Sequence, residues 1–364
     1  MNGDYRKLLE SKGISDNIEY VLQKFDEIMI SFVNDFIRYC DDIDTLKKLF
    51  LFPKLVQFMH FERYDDYVRG MLKIPLDHTQ NTADWLSDST AVNLDIIMPL
   101  QKDFDAYTIS DRPSGIFTSS DGKDPALNAN PYGFHTDNNI YFFLNVDFSN
   151  NDIVYAGNTV IDISKKHCFV PYLRHEMNHL HKKPDYFIKT DTEELQAVYS
   201  RIVFMMNKMS GAPGDIAYYI YRFCFGDEAN AHVEQFYAEL KNSKYNSQRN
   251  RDNFSMSDTW TLTDFYLKKL TDTYIKDKHY VDKIKKNIYK NFKNIADVLF
   301  HIRENENIPG YEDRFYRRLI SKIRHCILKN ISKMKRAAKL LESSEASWWD
   351  GVPEYMIRRQ FRRK

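Results

Sequence analysis

From Asp16 onward apolar residues return every three or four positions: Ile18, Val21, Leu22, Phe25, Ile28, Met29, Phe32, Val33, Phe36 and Ile37. That spacing lines one face of a helix. Asp16, with Glu19 three residues later, fits an N-terminal cap and its acidic partner. The pattern predicts an N-terminal helical region over residues 1–95, a scaffold without chemistry of its own. After about residue 96 the character changes. Residues 111–138 are rich in Ser, Asp, Asn, Gly and Pro, which predicts an extended loop. Two short β-branched and aromatic runs follow, 140–148 and 155–163, separated by the turn-forming Ser149-Asn150-Asn151-Asp152. They predict a hairpin or neighbouring strands. From about Phe169 the chain returns to helical spacing and keeps it to the end. The expected fold class is therefore α+β and predominantly helical. A small β-sheet precedes a central helix, with helical N- and C-terminal regions; the boundaries fall at 1–95, 96–245 and 246–364.

Composition sharpens this picture in two places. The 364 residues include 24 Tyr and 25 Phe but only 12 Gly and 11 Pro. So many aromatics with so few breakers favour long packed helices. Lys and Arg total 52 against 51 acidic residues, so net charge selects no partner. Cys40, Cys168, Cys224 and Cys326 form no C-x-x-C pair, which predicts reduced thiols in a reducing compartment, with two disulfides as the alternative. Residues 1–13 lack the apolar core of a signal peptide. No stretch approaches the ~18 apolar residues of a membrane span. The expected location is the cytoplasm, with virion association or export by a signal-less route as alternatives.

Chemistry concentrates in His175-Glu176-Met177-Asn178-His179. On a helix, positions i and i+4 share a face, so the two imidazoles can hold one metal ion. Glu176, offset by one residue, reaches the water beside that ion rather than the ion itself. Two neutral nitrogens for Zn2+ and a carboxylate to take a proton from an acidified water are what a metal-dependent hydrolase requires. Zinc needs a third protein ligand, and three candidates stand. Glu228 lies in Asp227-Glu228-Ala229-Asn230-Ala231-His232, where small residues allow close helix packing. Asp185 is six residues after His179, where another zinc architecture places its third ligand, but Lys182 occupies the position where that architecture needs glycine, and Pro184 stands beside the candidate. His181 is two residues from His179 and faces away on the same helix.

HEMNH followed 49 positions later by the Glu of DEANAHVE resembles the gluzincin group of zinc metallopeptidases, over about residues 155–240. The resemblance implies a zinc metallopeptidase-like core within 96–245, with His175, His179 and Glu228 as ligands and Glu176 as general base and acid. It also implies that the strand at 155–163 is an edge strand that pairs with an extended peptide or protein substrate. His232, one turn beyond Glu228, is a candidate either to donate to a developing oxyanion or to fix Glu228. Tyr218, Tyr219 and Tyr221 are weaker oxyanion candidates, and His135 is weaker still. Glu193, Glu194 and Glu234 read as solvated helix residues.

One further motif stands apart. Between 317 and 339 nine Lys and Arg residues, from Arg317 to Lys339, occur with no acid and are interleaved with Leu319, Ile320, Ile323, Ile327, Leu328 and Ile331. This predicts an amphipathic helix with a basic face, either an ordinary solvated face or a site for an anionic partner: nucleic acid, a membrane surface or an acidic protein. Trp348-Trp349 reads as an anchor for the tail. Beside a peptide hydrolase, two other functions stand open: a non-catalytic structural or assembly protein, for example of a virus particle, and a nucleic-acid-binding protein.

Overall fold

Leu22, Phe25, Met29, Phe32, Val33 and Phe36 are all buried to within 1% of complete and lie on one face of a helix, α1 (Ile14–Tyr39). Six such side chains contribute on the order of 10 kcal/mol of apolar burial before chain entropy is charged against it. The computed structural model describes residues 14–50, 57–75, 90–100, 115–119, 138–147, 150–156, 159–180, 193–250 and 257–343. The helix begins at Ile14, so Asp16 lies inside its first turn rather than at its cap. A short helix α2 (Ile43–Phe50) follows, its start held by the Asp42 side chain, which accepts from the Thr45 N–H at 3.1 Å.

Beyond Phe50 the helical expectation for residues 1–95 fails. The chain forms strands β1 (Gln57–Arg63), β2 (Tyr67–Pro75) and β3 (Thr90–Pro99). The reason is period-two burial. In β2, Val68, Gly70, Leu72 and Ile74 face inward, and β3 is buried on both faces, with Val92, Leu94 and Ile96 on one and Ala91 and Ile97 on the other. Asp95, 4% exposed on β3, is met by the guanidinium of Arg69 on β2, whose Nε donates at 2.9 Å. Pairing a buried carboxylate with a fork of donors is what makes its burial tolerable.

Four more strands complete a seven-stranded sheet: β4 (Gly115–Ser119), β5 (Asn138–Val146), β6 (Ile153–Ala156) and β7 (Thr159–Asp162). Its order is β1-β2-β3-β5-β6-β7, with β4 paired to β5. The β3–β5 ladder is parallel and the others are antiparallel. The run at 140–148 thus falls largely within β5, with residue 148 outside the described residues, whereas the run at 155–163 covers the end of β6 and all of β7, which pair antiparallel. On β5, Ile140, Phe142, Leu144 and Val146 point to the core, and Phe142 meets Phe25 of α1 at a ring separation of 5.5 Å. Gly70 is required where α1 crosses β2: a Cβ there would stand 2.5 Å from the Phe36 ring.

The remaining elements are helical. They are α3 (Val170–Leu180), α4 (Glu193–Lys208), α5 (Ala212–Cys224), α6 (Gly226–Asn250), α7 (Asp258–Thr271), a π-helical turn (Asp272–Lys276), α8 (Lys278–Phe300) and α9 (Tyr311–Ser343). The chain divides into two units. The first comprises Met1–Lys182, Lys241–Asn253 and Ser347–Asp350; the second comprises Lys183–Leu240, Phe254–Ala346 and Gly351–Lys364. Unit 1 contains the sheet with α1 to α3. Unit 2 is helical, its core built from α4, α5, α8 and α9 around Ile202, Ile220, Phe292, Phe315 and Leu319. α6 runs unbroken through the residues of both. The fold is α+β and predominantly helical. Among the described residues no helix is long and apolar enough to cross a membrane.

Candidate metal centre

The HEMNH helix is fixed at its start by residues remote in sequence. After β7 the chain turns through Ser164 to Phe169, and His167 adopts a left-handed φ of 63°. The carboxylate of Asp26 on α1 accepts the backbone N–H of His167 at 2.7 Å and of Phe169 at 2.9 Å. It therefore caps α3 from more than 140 residues away, satisfying N–H groups that a helix start leaves without intrahelical acceptors. The side-chain amide of Asn242 donates to the His167 carbonyl at 2.5 Å. Burial pushes the Asp26 carboxyl up to about 7, against the opposing pull of the two backbone donors. Burial also holds the His167 ring, 3.7 Å from that carboxylate, down to about 4.

α3 then presents two distinct faces. Val170, Leu173 and Met177 are buried among the apolar side chains of unit 1, and α3 packs on α1, β4 and β5. Tyr172, His175, Glu176 and His179 follow one another on the other face, by the 3.6-residue period. His175 and His179 meet edge to face with ring centroids 5.1 Å apart. Glu176 is 6% exposed, and its carboxylate lies 4.0 Å from Nε2 of His175.

Glu228 sits in the first turns of α6, after the extended residue Phe225 breaks α5 from α6. That break brings Tyr221 of α5 to Glu228, and the Tyr221 hydroxyl donates to Oε1 at 2.7 Å. Burial, and then the neighbouring carboxylate, push the Tyr221 phenol far above its ordinary range, so it remains a donor at every physiological pH. The other carboxylate oxygen, Oε2, faces Nε2 of His232 at 3.7 Å. Ala229, Ala231 and Val233 are buried, as their small or β-branched side chains predict for a closely packed helix.

One candidate ligand atom from each of His175, His179 and Glu228 lies within 4.8 Å of the other two. Among the described residues this is the group of His, Cys, Asp and Glu close enough to share an ion. Two imidazole nitrogens and one carboxylate oxygen are a borderline donor set that fits Zn2+. Asp185, His181 and His135 lie outside the described residues. Of the tyrosines, Tyr219 is core, and Tyr218 accepts from Arg222 at 3.2 Å and packs on Tyr266. Glu193 and Glu194 are exposed in the first turn of α4. Sequence reasoning missed Asp26 and Asn242 altogether, and it weighed Tyr221 only as one of three weaker oxyanion candidates, not as a partner of Glu228. Comparison with protein-family models, with curated proteins and with solved structures returned no match.

Proposed function

We propose that this chain is a zinc-dependent peptide hydrolase with His175, His179 and Glu228 as metal ligands and Glu176 as its general base. The observation that carries the reading is the convergence of those three ligand atoms on the residues that flank a buried carboxylate in an H-E-x-x-H helix. Zinc bound by such a set acidifies a water and polarises a carbonyl. The rest falls to the chain's own side chains. Glu176 takes the proton of the attacking water and returns it to the leaving amine nitrogen. Tyr221 holds one oxygen of Glu228 by a hydrogen bond and His232 faces the other at 3.7 Å, which together orient the carboxylate. His232 is thereby assigned the positioning role of the two weighed above, because its Nε2 faces Glu228. Asp26 and Asn242 set where α3 begins, and so where His175 and Glu176 stand. β7 ends the strand order, and Val160 on it is 53% exposed, which suits an extended peptide or protein substrate added to the sheet edge.

The test measures hydrolysis of a mixed peptide library and bound metal together, in wild type, Glu176→Gln and Glu228→Ala. The reading expects turnover and one bound zinc in wild type. Glu176→Gln should keep the zinc and lose turnover by at least a factor of ~100. A wild-type chain that binds zinc but cleaves nothing would instead favour the non-catalytic assembly function.

A further inference from the structure

The longest helix of unit 2 separates its charges by face. In α9, Phe315, Leu319, Ile323, Ile327 and Met334 are buried to within 1%, so the apolar side is spent on the core. The exposed positions from Arg317 to Lys339 are Arg317, Arg318, Ser321, Lys322, Arg324, His325, Leu328, Lys329, Ser332, Lys335, Arg336 and Lys339. Eight of these twelve are Lys or Arg and none is acidic. Stepped at 100° per residue they occupy one continuous arc of about 160°, along a line about 33 Å long. Arg317 pairs with Asp313 and Arg318 with Glu304 at the helix start, while Lys322, Arg324 and Lys339 form no ion pair among the described residues. Lys333 is the exception that defines the face: it turns inward, 6% exposed, and donates to Asn230 of α6 at 2.6 Å. The exposed face of α8 is also rich in lysine, with Lys278, Lys283, Lys286, Lys290 and Lys293, but Asp282 and the pairing of Lys293 with Glu306 interrupt it.

We propose that this stripe is a docking surface for the phosphate backbone of a nucleic-acid duplex. A straight, single-sign array on a rigid helix matches a stiff polyanion whose charges recur at fixed spacing, and its length is close to one turn of B-form DNA. A single strand is less suited. Proteins that hold single strands interleave aromatic side chains for base stacking, and the exposed arc of α9 carries none. An anionic membrane is less suited too, because an interfacial helix gains affinity from an inserted apolar face as well as from charge, and that face of α9 is buried.

The experiment is fluorescence anisotropy of a labelled 20-base-pair DNA duplex titrated with the full chain, at 50, 100 and 200 mM salt. Parallel titrations use the single strand, an RNA duplex and phosphatidylserine vesicles. The expected dissociation constant is micromolar at 100 mM salt, with a slope of log K against log salt near −4 to −5, for about five phosphate contacts. K322E/R324E/K339E should weaken duplex binding at least tenfold and bring the slope closer to zero by about 2 to 3. K283E/K286E/K290E makes the same change of net charge on the exposed face of α8 and should leave binding within twofold. Retained circular dichroism and melting temperature establish that both triple variants fold; if the α9 variant does not, the Gln series at the same three positions replaces it. No duplex binding at 50 mM salt, tighter binding of vesicles or single strand than of duplex, or equal losses in the α8 and α9 variants would each overturn the proposal.

Discussion

Replacing Asp26 with Asn tests the remote cap of the HEMNH helix through its pH dependence. In the folded chain Asp26 holds its proton up to about 7, whereas its ordinary value is 3.8. His167 is the reverse: its ordinary value is 6.5, and in the fold it stays neutral down to about 4. A raised carboxyl contributes stability that is complete below its unfolded value and is lost as pH rises through about 7. A lowered imidazole contributes stability that is present above 6.5 and lost as pH falls toward about 4. Between these limits the folded chain carries one proton on Asp26 and the unfolded chain carries one on His167, so the two dependences cancel. In wild type the pair therefore adds almost no slope from pH 4.5 to 6.5, then costs about 0.4 kcal/mol from 6.5 to 8, where the loss from Asp26 outweighs the remaining gain from His167.

Asp26→Asn removes one half of that balance. Only His167 then titrates, and stability should rise from pH 4.5 to 6.5 by about 2 kcal/mol in full, or nearer 1 after allowance for the ring's partial contact with water. From pH 6.5 to 8 the variant should gain about 0.4 kcal/mol more where wild type declines. The amide can accept only one of the two backbone N–H groups, so a pH-independent loss of about 1 to 3 kcal/mol accompanies these changes. Urea-unfolding midpoints of both proteins at pH 4.5, 6.5 and 8 measure all three quantities. Parallel stability profiles for wild type and variant would refute the reasoning, because they would mean that Asp26 and His167 do not titrate against each other.

Two further outcomes follow from single contacts. Tyr221→Phe leaves the ring packing in place but removes the donor to Glu228, so zinc affinity measured by competition with a chelator should fall roughly 10- to 100-fold with little change in melting temperature. Gly70→Val forces a side chain into the Phe36 ring, which is fully buried and has nowhere to move, and should cost about 1 to 3 kcal/mol in chemical unfolding.

The parts of the fold that were legible in the chain are those whose signal is local. α1 announces itself through three-and-four spacing over more than twenty residues, and α3 through a motif whose chemistry depends on one helical turn. Glu228 could be singled out because the small residues after it predict close packing, and Ala229 and Ala231 are buried. β2 and β3 were hidden by the helical rhythm that precedes them, although Val92-Asn93-Leu94-Asp95-Ile96 alternates strictly and its apolar members are buried. The separation of β6 from β7 has a local counterpart in Gly157-Asn158, a turn-forming pair that the β-branched and aromatic residues on either side outweighed in a run that reads as one strand. Asp26 lies beyond any spacing argument: a cap supplied across more than 140 residues is decided by how α1 lies on the sheet. Tyr221 falls between these cases, since its link to Glu228 depends on the extended residue Phe225, and the Phe225-Gly226 pair is the one local hint of that break.

A glutamate-type zinc site makes a sharp demand on the stoichiometry of bound zinc in wild type against Glu228→Ala. Wild type should hold about one equivalent per chain at neutral pH and the variant should lose most of it, because two imidazoles alone hold zinc weakly. A full equivalent retained by Glu228→Ala at unchanged affinity would contradict it, and so would a wild-type chain that takes up no zinc.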